Sequence, residues 1–120
     1  MILVDTSIWI EHLRQGDQRL ATLLESGQVL THLFVLGEIA CGNLQERGRL
    51  LALLNKLPRA VRPNDEEVLF FIEAQALHGR GIGFVDAHLL ASATLSDVPI
   101  WTKDRRLRLV AKELGLAAQM

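Results

Sequence analysis

A chain of 120 residues fits one compact domain and leaves no room for a second, so residues 1–120 are read as a single domain. With 49% apolar residues it is too hydrophobic to stay disordered, yet no stretch reaches the roughly 20 apolar residues of a membrane span, which excludes a membrane helix. The single Cys41 cannot form an internal disulfide, the start Met1-Ile2-Leu3-Val4-Asp5 lacks the basic residues of a signal peptide, and a net charge of −1 argues against a uniformly basic nucleic-acid binder, so the expected setting is cytoplasmic.

In chain order, Ile2 to Val4 is a short apolar strand. Asp5-Thr6-Ser7 follows, and each of these can cap the start of a helix carrying Ile8, Trp9 and Leu13. After Gly16-Asp17 a second helix places Leu20, Leu23 and Leu24 on one face, and Gln28 to Thr31 is a second strand. A helix from Leu33 to Leu44 is weakened by Gly37 and Gly42. The next helix is plainly amphipathic, with Leu50, Leu53, Leu54 and Leu57 at i, i+3, i+4, i+7, and Pro58 ends it.

Arg59 to Val61 is a candidate short strand. Asn64 and Glu67 form a capping-box pair opening a helix that runs to about His78. Gly79, Gly81 and Gly83 make a flexible connection to a helix from Asp86 to about Leu95, and Val98 to Thr102 is another strand. Asp104 caps a last helix with Leu107, Val110, Ala111 and Leu114 on one face, Gly115 ends it, and Leu116 to Gln119 is a candidate edge strand. Short apolar strands alternating with amphipathic helices predict an α/β fold: a parallel sheet of four to five strands flanked by helices on both faces.

Ligands bind such sheets at the carboxyl ends of the strands. Asp5 ends the first strand, Asp104 follows the strand at 98–102, Asp86 opens the helix packed beside them, and Glu38 lies on the helix after the second strand. Taken singly, Asp5, Asp86 and Asp104 also read as ordinary helix caps. Glu38 resists that reading. Its stripe neighbours Phe34, Val35, Cys41 and Gly42 include no cation, and an unpaired carboxylate is costly to bury on an apolar stripe. Four carboxylates converging on one edge would repel each other unless a hard cation sat among them, and oxygen-only ligation selects Mg²⁺ or Mn²⁺ over Zn²⁺. With these four set aside the chain has 13 basic against 10 acidic groups, a surface of +3 that suits a polyanionic substrate.

Other polar groups read less sharply. His12 and His78 are placed on exposed helix faces, His32 near the second strand end, and His88 on a different helix face from Asp86; their spacing forms no zinc motif, so structural roles are expected. Lys103 and Arg105 flank the proposed site as candidate phosphate contacts, whereas Arg108 reads as part of a solvated face. Thr6, Ser7 and Thr102 are caps or supports for a metal's water shell, and Trp9 and Trp101 belong to the core.

The segments Val4-Asp5-Thr6-Ser7-Ile8-Trp9, Gly37-Glu38-Ile39-Ala40, Val85-Asp86-Ala87-His88-Leu89-Leu90-Ala91 and Trp101-Thr102-Lys103-Asp104, in that order, resemble the PIN-domain family and, within it, the VapC toxins of VapBC toxin–antitoxin systems. The resemblance spans essentially the whole chain and shows no departure at the four acidic positions. It implies an endoribonuclease dependent on Mg²⁺ or Mn²⁺, with Asp5, Glu38, Asp86 and Asp104 as catalytic and metal-binding acids and Thr6, Ser7 and Thr102 as supporting polar residues. It further implies RNA as substrate, products with a 5′-phosphate and a 3′-hydroxyl, a homodimer, and a VapB-type antitoxin that wraps the toxin. Two other readings compete: a structure-specific DNA nuclease, for which 120 residues leave little room for a DNA clamp, and a non-catalytic binding module on the same fold, which would be expected to lose one of the acids. A phosphatase of the Asp-x-Asp type is disfavoured because Ser7 stands at the second Asp position.

Overall fold

The computed structural model describes all 120 residues. Three parallel strands form the sheet: β1 (Ile2–Val4), β2 (Val29–Leu30) and β3 (Ile100–Trp101), in the order β2-β1-β3. β1 is central because its residues are apolar on both faces. Leu3 and Val4 are fully buried, and the strand pairs with Val29 and Leu30 on one side and with Ile100 and Trp101 on the other. Seven helices surround the sheet: α1 (Thr6–Gln15), α2 (Gln18–Glu25), α3 (Leu33–Cys41), α4 (Arg47–Lys56), α5 (Asp65–Ala74), α6 (Phe84–Ser96) and α7 (Arg105–Glu113).

The sheet is narrower than the four to five strands expected. The segments at 59–61 and 116–119 each contribute one parallel bridge, Thr31 with Arg59 and Ile100 with Ala117, and neither extends into a strand. For the first, the cause is visible in the hydrogen bonds. The Thr31 amide donates to the Pro58 carbonyl and the Thr31 carbonyl accepts from the Ala60 amide, but the Val61 amide then leaves the ladder for Ser96 Oγ at 2.8 Å. For the second, the Ile100 amide donates to Leu116 and the Ile100 carbonyl accepts from Ala118, and β3 ends one residue later as Thr102 turns into the carboxyl edge of the sheet.

Three helix boundaries differ from expectation. α3 stops at Cys41, with the Gly42 amide closing on Ile39. α5 stops at Ala74 rather than His78, because Ala76 adopts a left-handed conformation (φ 52°) and the Leu77 amide returns to the Ile72 carbonyl, turning Leu77 into the core. α6 begins at Phe84, two residues before Asp86, so that Asp86 lies inside its first turn.

The core is one cluster of 22 buried residues, including Leu3, Val4, Trp9, Leu54, Leu90, Ile100 and Leu107, gathered from the sheet and from every helix except α5. Of the amphipathic faces read from the sequence, Leu20 on α2, Leu50 and Leu54 on α4, and Leu107, Val110 and Ala111 on α7 are buried, whereas Leu53, expected on the α4 stripe, is 40% exposed because it lies to the solvent side of Leu50 and Leu54. Each fully buried Leu of this kind contributes about 1.5–3 kcal/mol. That rigid base fixes the strand ends at which the polar residues collect.

Candidate active site

β1 runs directly into α1, and Asp5 stands at the junction. It occupies the N-cap position with extended backbone, yet its side chain caps nothing. The carboxylate instead accepts two hydroxyl hydrogen bonds on one oxygen, Oδ2: from Thr102 Oγ1 at 2.7 Å and from Ser7 Oγ at 3.0 Å. Each hydroxyl is itself held by a backbone amide of the β3–α7 turn. Asp104 N donates to Thr102 Oγ1 at 3.0 Å, and Lys103 N donates to Ser7 Oγ at 2.9 Å. The two side chains therefore relay a pair of peptide dipoles onto Asp5, which is 7% exposed. Oδ1 is left without a protein donor.

Asp104 is exposed and is the genuine helix cap of the set, its Oδ1 accepting from Leu107 N at 2.9 Å. Asp86, half-buried on the first turn of α6, accepts from the Gly83 amide at 3.2 Å. Its carboxyl is pushed above the usual carboxylate range, first by burial and then by the negative charges of Asp5 and Asp104, with the Gly83 hydrogen bond working the other way. Asp5 and Asp104 thus lie close enough to Asp86 to raise the cost of charging it. Glu38 on α3 joins the same edge through Thr6, whose Oγ1 donates to Glu38 Oε1 at 2.8 Å.

Two expectations need correction. Glu38 is exposed, so the cost of burying it does not argue for a function. The buried face of α3 is formed by Val35, Leu36 and Ile39, one step round the helix from the stripe assumed. What marks Glu38 is its hydrogen bond to Thr6. Secondly, the acids share an edge but not a single coordination point: no group of three or more His, Cys, Asp or Glu side chains is gathered tightly enough to hold a metal ion as it stands. Mutual repulsion and the separate local partners account for this, with Asp104 drawn to α7, Asp86 to Gly83 and Glu38 to Thr6. The donor set nevertheless fits a hard divalent cation. It is all oxygen, and the Asp86 carboxyl, raised first by burial and further by the charges of Asp5 and Asp104, is one that a bound cation would help to ionise.

The flanking residues divide. Lys103 Nζ lies 3.3 Å from Glu11 Oε1, so its charge is partly engaged within the fold, whereas Arg105 is exposed with no carboxylate partner. Trp9 and Trp101 are core residues, as expected. His78 is exposed, and His12 is half-buried, with Nδ1 accepting the Asp17 amide.

His32 and His88 are fully buried and structural. His32 Nδ1 accepts the Phe34 amide as the cap of α3, and Nε2 pairs with Ser92 Oγ at 2.9 Å. His88 Nε2 lies 3.1 Å from Asp65 Oδ1, tying α6 to α5. These pairings, and the Thr6–Glu38 bond, join positions up to 60 residues apart and leave no periodic trace in the sequence. The amides of Lys103 and Asp104 carry no side-chain signal at all.

Residues 2–113 match the PIN domain. The chain belongs to the PIN-domain family. Ribonuclease VapC32 of Mycobacterium tuberculosis is 43% identical over 118 residues, covering 98% of this chain and 95% of the relative. Among solved structures, FitAcB from Neisseria gonorrhoeae aligns with a TM-score of 0.62 at 22% identity, over 93% of this chain and 94% of its own. PAE2754 from Pyrobaculum aerophilum aligns with a TM-score of 0.62 at 20% identity, over 91% and 78%. These two establish likeness of fold. In this PIN domain the strand order β2-β1-β3 puts Asp5 at the carboxyl end of the central strand.

Proposed function

We propose that this PIN-domain protein is a metal-dependent endoribonuclease acting as the VapC-type toxin of a type II toxin–antitoxin system. The observation that carries the reading is Asp5: a nearly buried carboxylate released from helix capping, held on one oxygen by two hydroxyls, and close enough to Asp86 to help raise its carboxyl. The extensive likeness to a protein named a VapC ribonuclease supports RNA as the substrate class.

Asp5, Asp86 and Asp104, with Glu38, are the residues that would hold Mg²⁺ or Mn²⁺. Such an ion, when bound, activates water and stabilises charge on the leaving oxygen of a phosphodiester. The chain's own residues do the rest. Ser7 and Thr102 fix the orientation of Asp5 through Oδ2. Thr6 orients Glu38, whose exposed carboxylate would accept a proton from the attacking water. Attack by water does not need the ribose 2′-hydroxyl, so preference for RNA over DNA arises in binding rather than in the bond-breaking step. The toxin reading brings with it a VapB-type antitoxin partner and a homodimer. The exposed apolar side chains Leu69, Phe70 and Leu95 on α5 and α6 support a self-association surface.

The test is cleavage of total bacterial RNA by the purified protein, freed of antitoxin, with Mg²⁺ or Mn²⁺, beside samples carrying EDTA or Asp5→Asn and beside matched DNA oligonucleotides. Discrete RNA fragments lost with EDTA and with Asp5→Asn are the expected result. Cleavage of DNA in preference to RNA would replace this reading with a DNA nuclease, and no metal binding by calorimetry would replace it with a binding module.

A further inference from the structure

α7 carries cations where its own folding does not want them. Arg105 and Arg108 lie near the helix N-terminus, where the macrodipole is positive, and the N-cap carboxylate of Asp104, engaged with the Leu107 amide, is the one acid there to offset them. Neither they nor Lys112 has a carboxylate within ion-pair distance. Arg105, Arg108, Leu109 and Lys112 follow the i, i+3, i+4, i+7 spacing and share the face opposite the buried Leu107, Val110 and Ala111.

This stripe forms one wall of a groove of about 810 Å³, whose other wall is the segment 115–120. A second cavity of about 310 Å³ continues it past Arg108 to Thr102 and Lys103 at the edge of the candidate active site. No Asp or Glu side chain lines either part. Seven residues of helix rise roughly 10 Å, about three times the roughly 3.4 Å of axis per phosphate along one strand of a duplex, so the stripe is long enough to meet more than one phosphate of an extended strand. Exposed Leu109 and Met120 supply apolar surface beside the charges.

We infer that the groove between α7 and the segment 115–120 is the track for the single-stranded RNA backbone, leading it past Lys103 to Asp5 and Asp104. The inference rests on the ribonuclease reading and extends it to the path of the substrate. Arg105, Arg108 and Lys112 contact successive phosphates, independently of base sequence, and add no chemistry of their own.

The test is fluorescence anisotropy with a short, labelled, mixed-sequence single-stranded RNA in EDTA over a range of salt, so that nothing is cleaved. The wild-type protein is compared with Arg105→Ala/Arg108→Ala/Lys112→Ala, and with a control losing three exposed cations elsewhere, Arg14→Ala/Arg49→Ala/Lys56→Ala. All six side chains are exposed, and a thermal melt confirms folding; Arg108→Gln/Lys112→Gln serves if the triple variant melts early. The groove variant is expected to lose affinity roughly tenfold or more, and its plot of log K against log salt to become shallower by about 2, while the control stays within about twofold of wild type. Unchanged affinity and slope in the groove variant would overturn the inference. So would retained RNA binding with loss of the copurifying antitoxin, which would make the groove a protein-binding surface. If wild-type protein binds no RNA in EDTA the track is likewise refuted, while cleavage in Mg²⁺ still decides the ribonuclease reading on its own.

Discussion

Thr102 Oγ1 donates to Asp5 Oδ2 at 2.7 Å, joining the two ends of the chain across 97 positions at the carboxyl edge of the sheet. The same hydroxyl accepts the Asp104 amide, so one side chain couples the central strand to the cap of α7. Thr102→Val keeps the shape and removes both bonds, leaving the Asp104 amide without its acceptor. Loss of about 1–3 kcal/mol in urea unfolding is expected. RNA cleavage should fall about 10–100-fold and need more metal, since Asp5 keeps only the Ser7 donor. A variant with wild-type metal dependence would show that Thr102 matters to the fold alone.

Asp86 predicts an exchange of stability against activity. Its carboxyl is raised by burial and by Asp5 and Asp104, so in the metal-free protein the ionised form opposes folding. A folded-state pKa above the unfolded value means that the native state gains stability as pH falls through the carboxylate range, and lacks it at neutral pH. Asp86→Asn keeps an acceptor for the Gly83 amide and removes the charge. It should melt higher than wild type in EDTA at pH 7, lose the added stability that Mg²⁺ gives the wild type, and fail to cleave RNA. A lower melting temperature in EDTA would mean that the carboxylate is satisfied without a cation.

His32 makes the fold sensitive to acid. Burial first, and then the positive charges of His88 and Arg62, pull its pKa down to about 4, and Nδ1 is already occupied as an acceptor from Phe34. Because the folded-state pKa is depressed, the neutral form's contribution is fully present above the unfolded value of 6.5 and is lost as pH falls from there toward 4. The loss amounts to up to about 3 kcal/mol. His32→Asn retains a side-chain oxygen to cap α3. It should flatten the urea-midpoint profile between pH 6.5 and 4, where the wild type falls. Equal slopes would assign the acid sensitivity to other groups.

The parts legible in the sequence are those written in local periodicity or in a short motif. The Leu50–Leu54 stripe, the Asn64–Glu67 capping box (both halves formed) and the Asp104 cap are set by residues three or four apart, and each is present. The two outer strands do not form because pairing depends on where distant amides go: Val61 N is captured by Ser96, 35 residues on. Asp5 shows the limit most clearly. Its position is that of a cap, and only the hydroxyls of Ser7 and Thr102 reveal that its carboxylate points elsewhere. Glu38 stands out in the sequence on a premise of burial that the structure removes, and the Thr6 bond that supports it is not readable from helical spacing.

The homodimer implied by the resemblance has a specific place to be tested. Phe70 is 75% exposed, and beside it Phe71, Ala91 and Leu95 line a groove of about 460 Å³ between α5 and α6. An exposed aromatic of this size beside an apolar cleft is unusual on a monomer surface, and aromatic anchors dominate interface energetics. The packing of α5 on α6 uses Val68, Ala87 and Ala91 instead, so Phe70 can be changed without opening the core. Phe70→Glu should therefore convert a dimer to a monomer in light scattering, while the stability of the fold shifts by less than about 1 kcal/mol beyond the loss of association itself. A dimer that persists in Phe70→Glu would place the interface on another face. Leu53→Glu, on the exposed side of α4, then probes the next apolar surface, and dissociation there would move the dimer contact from α5 and α6 to α4.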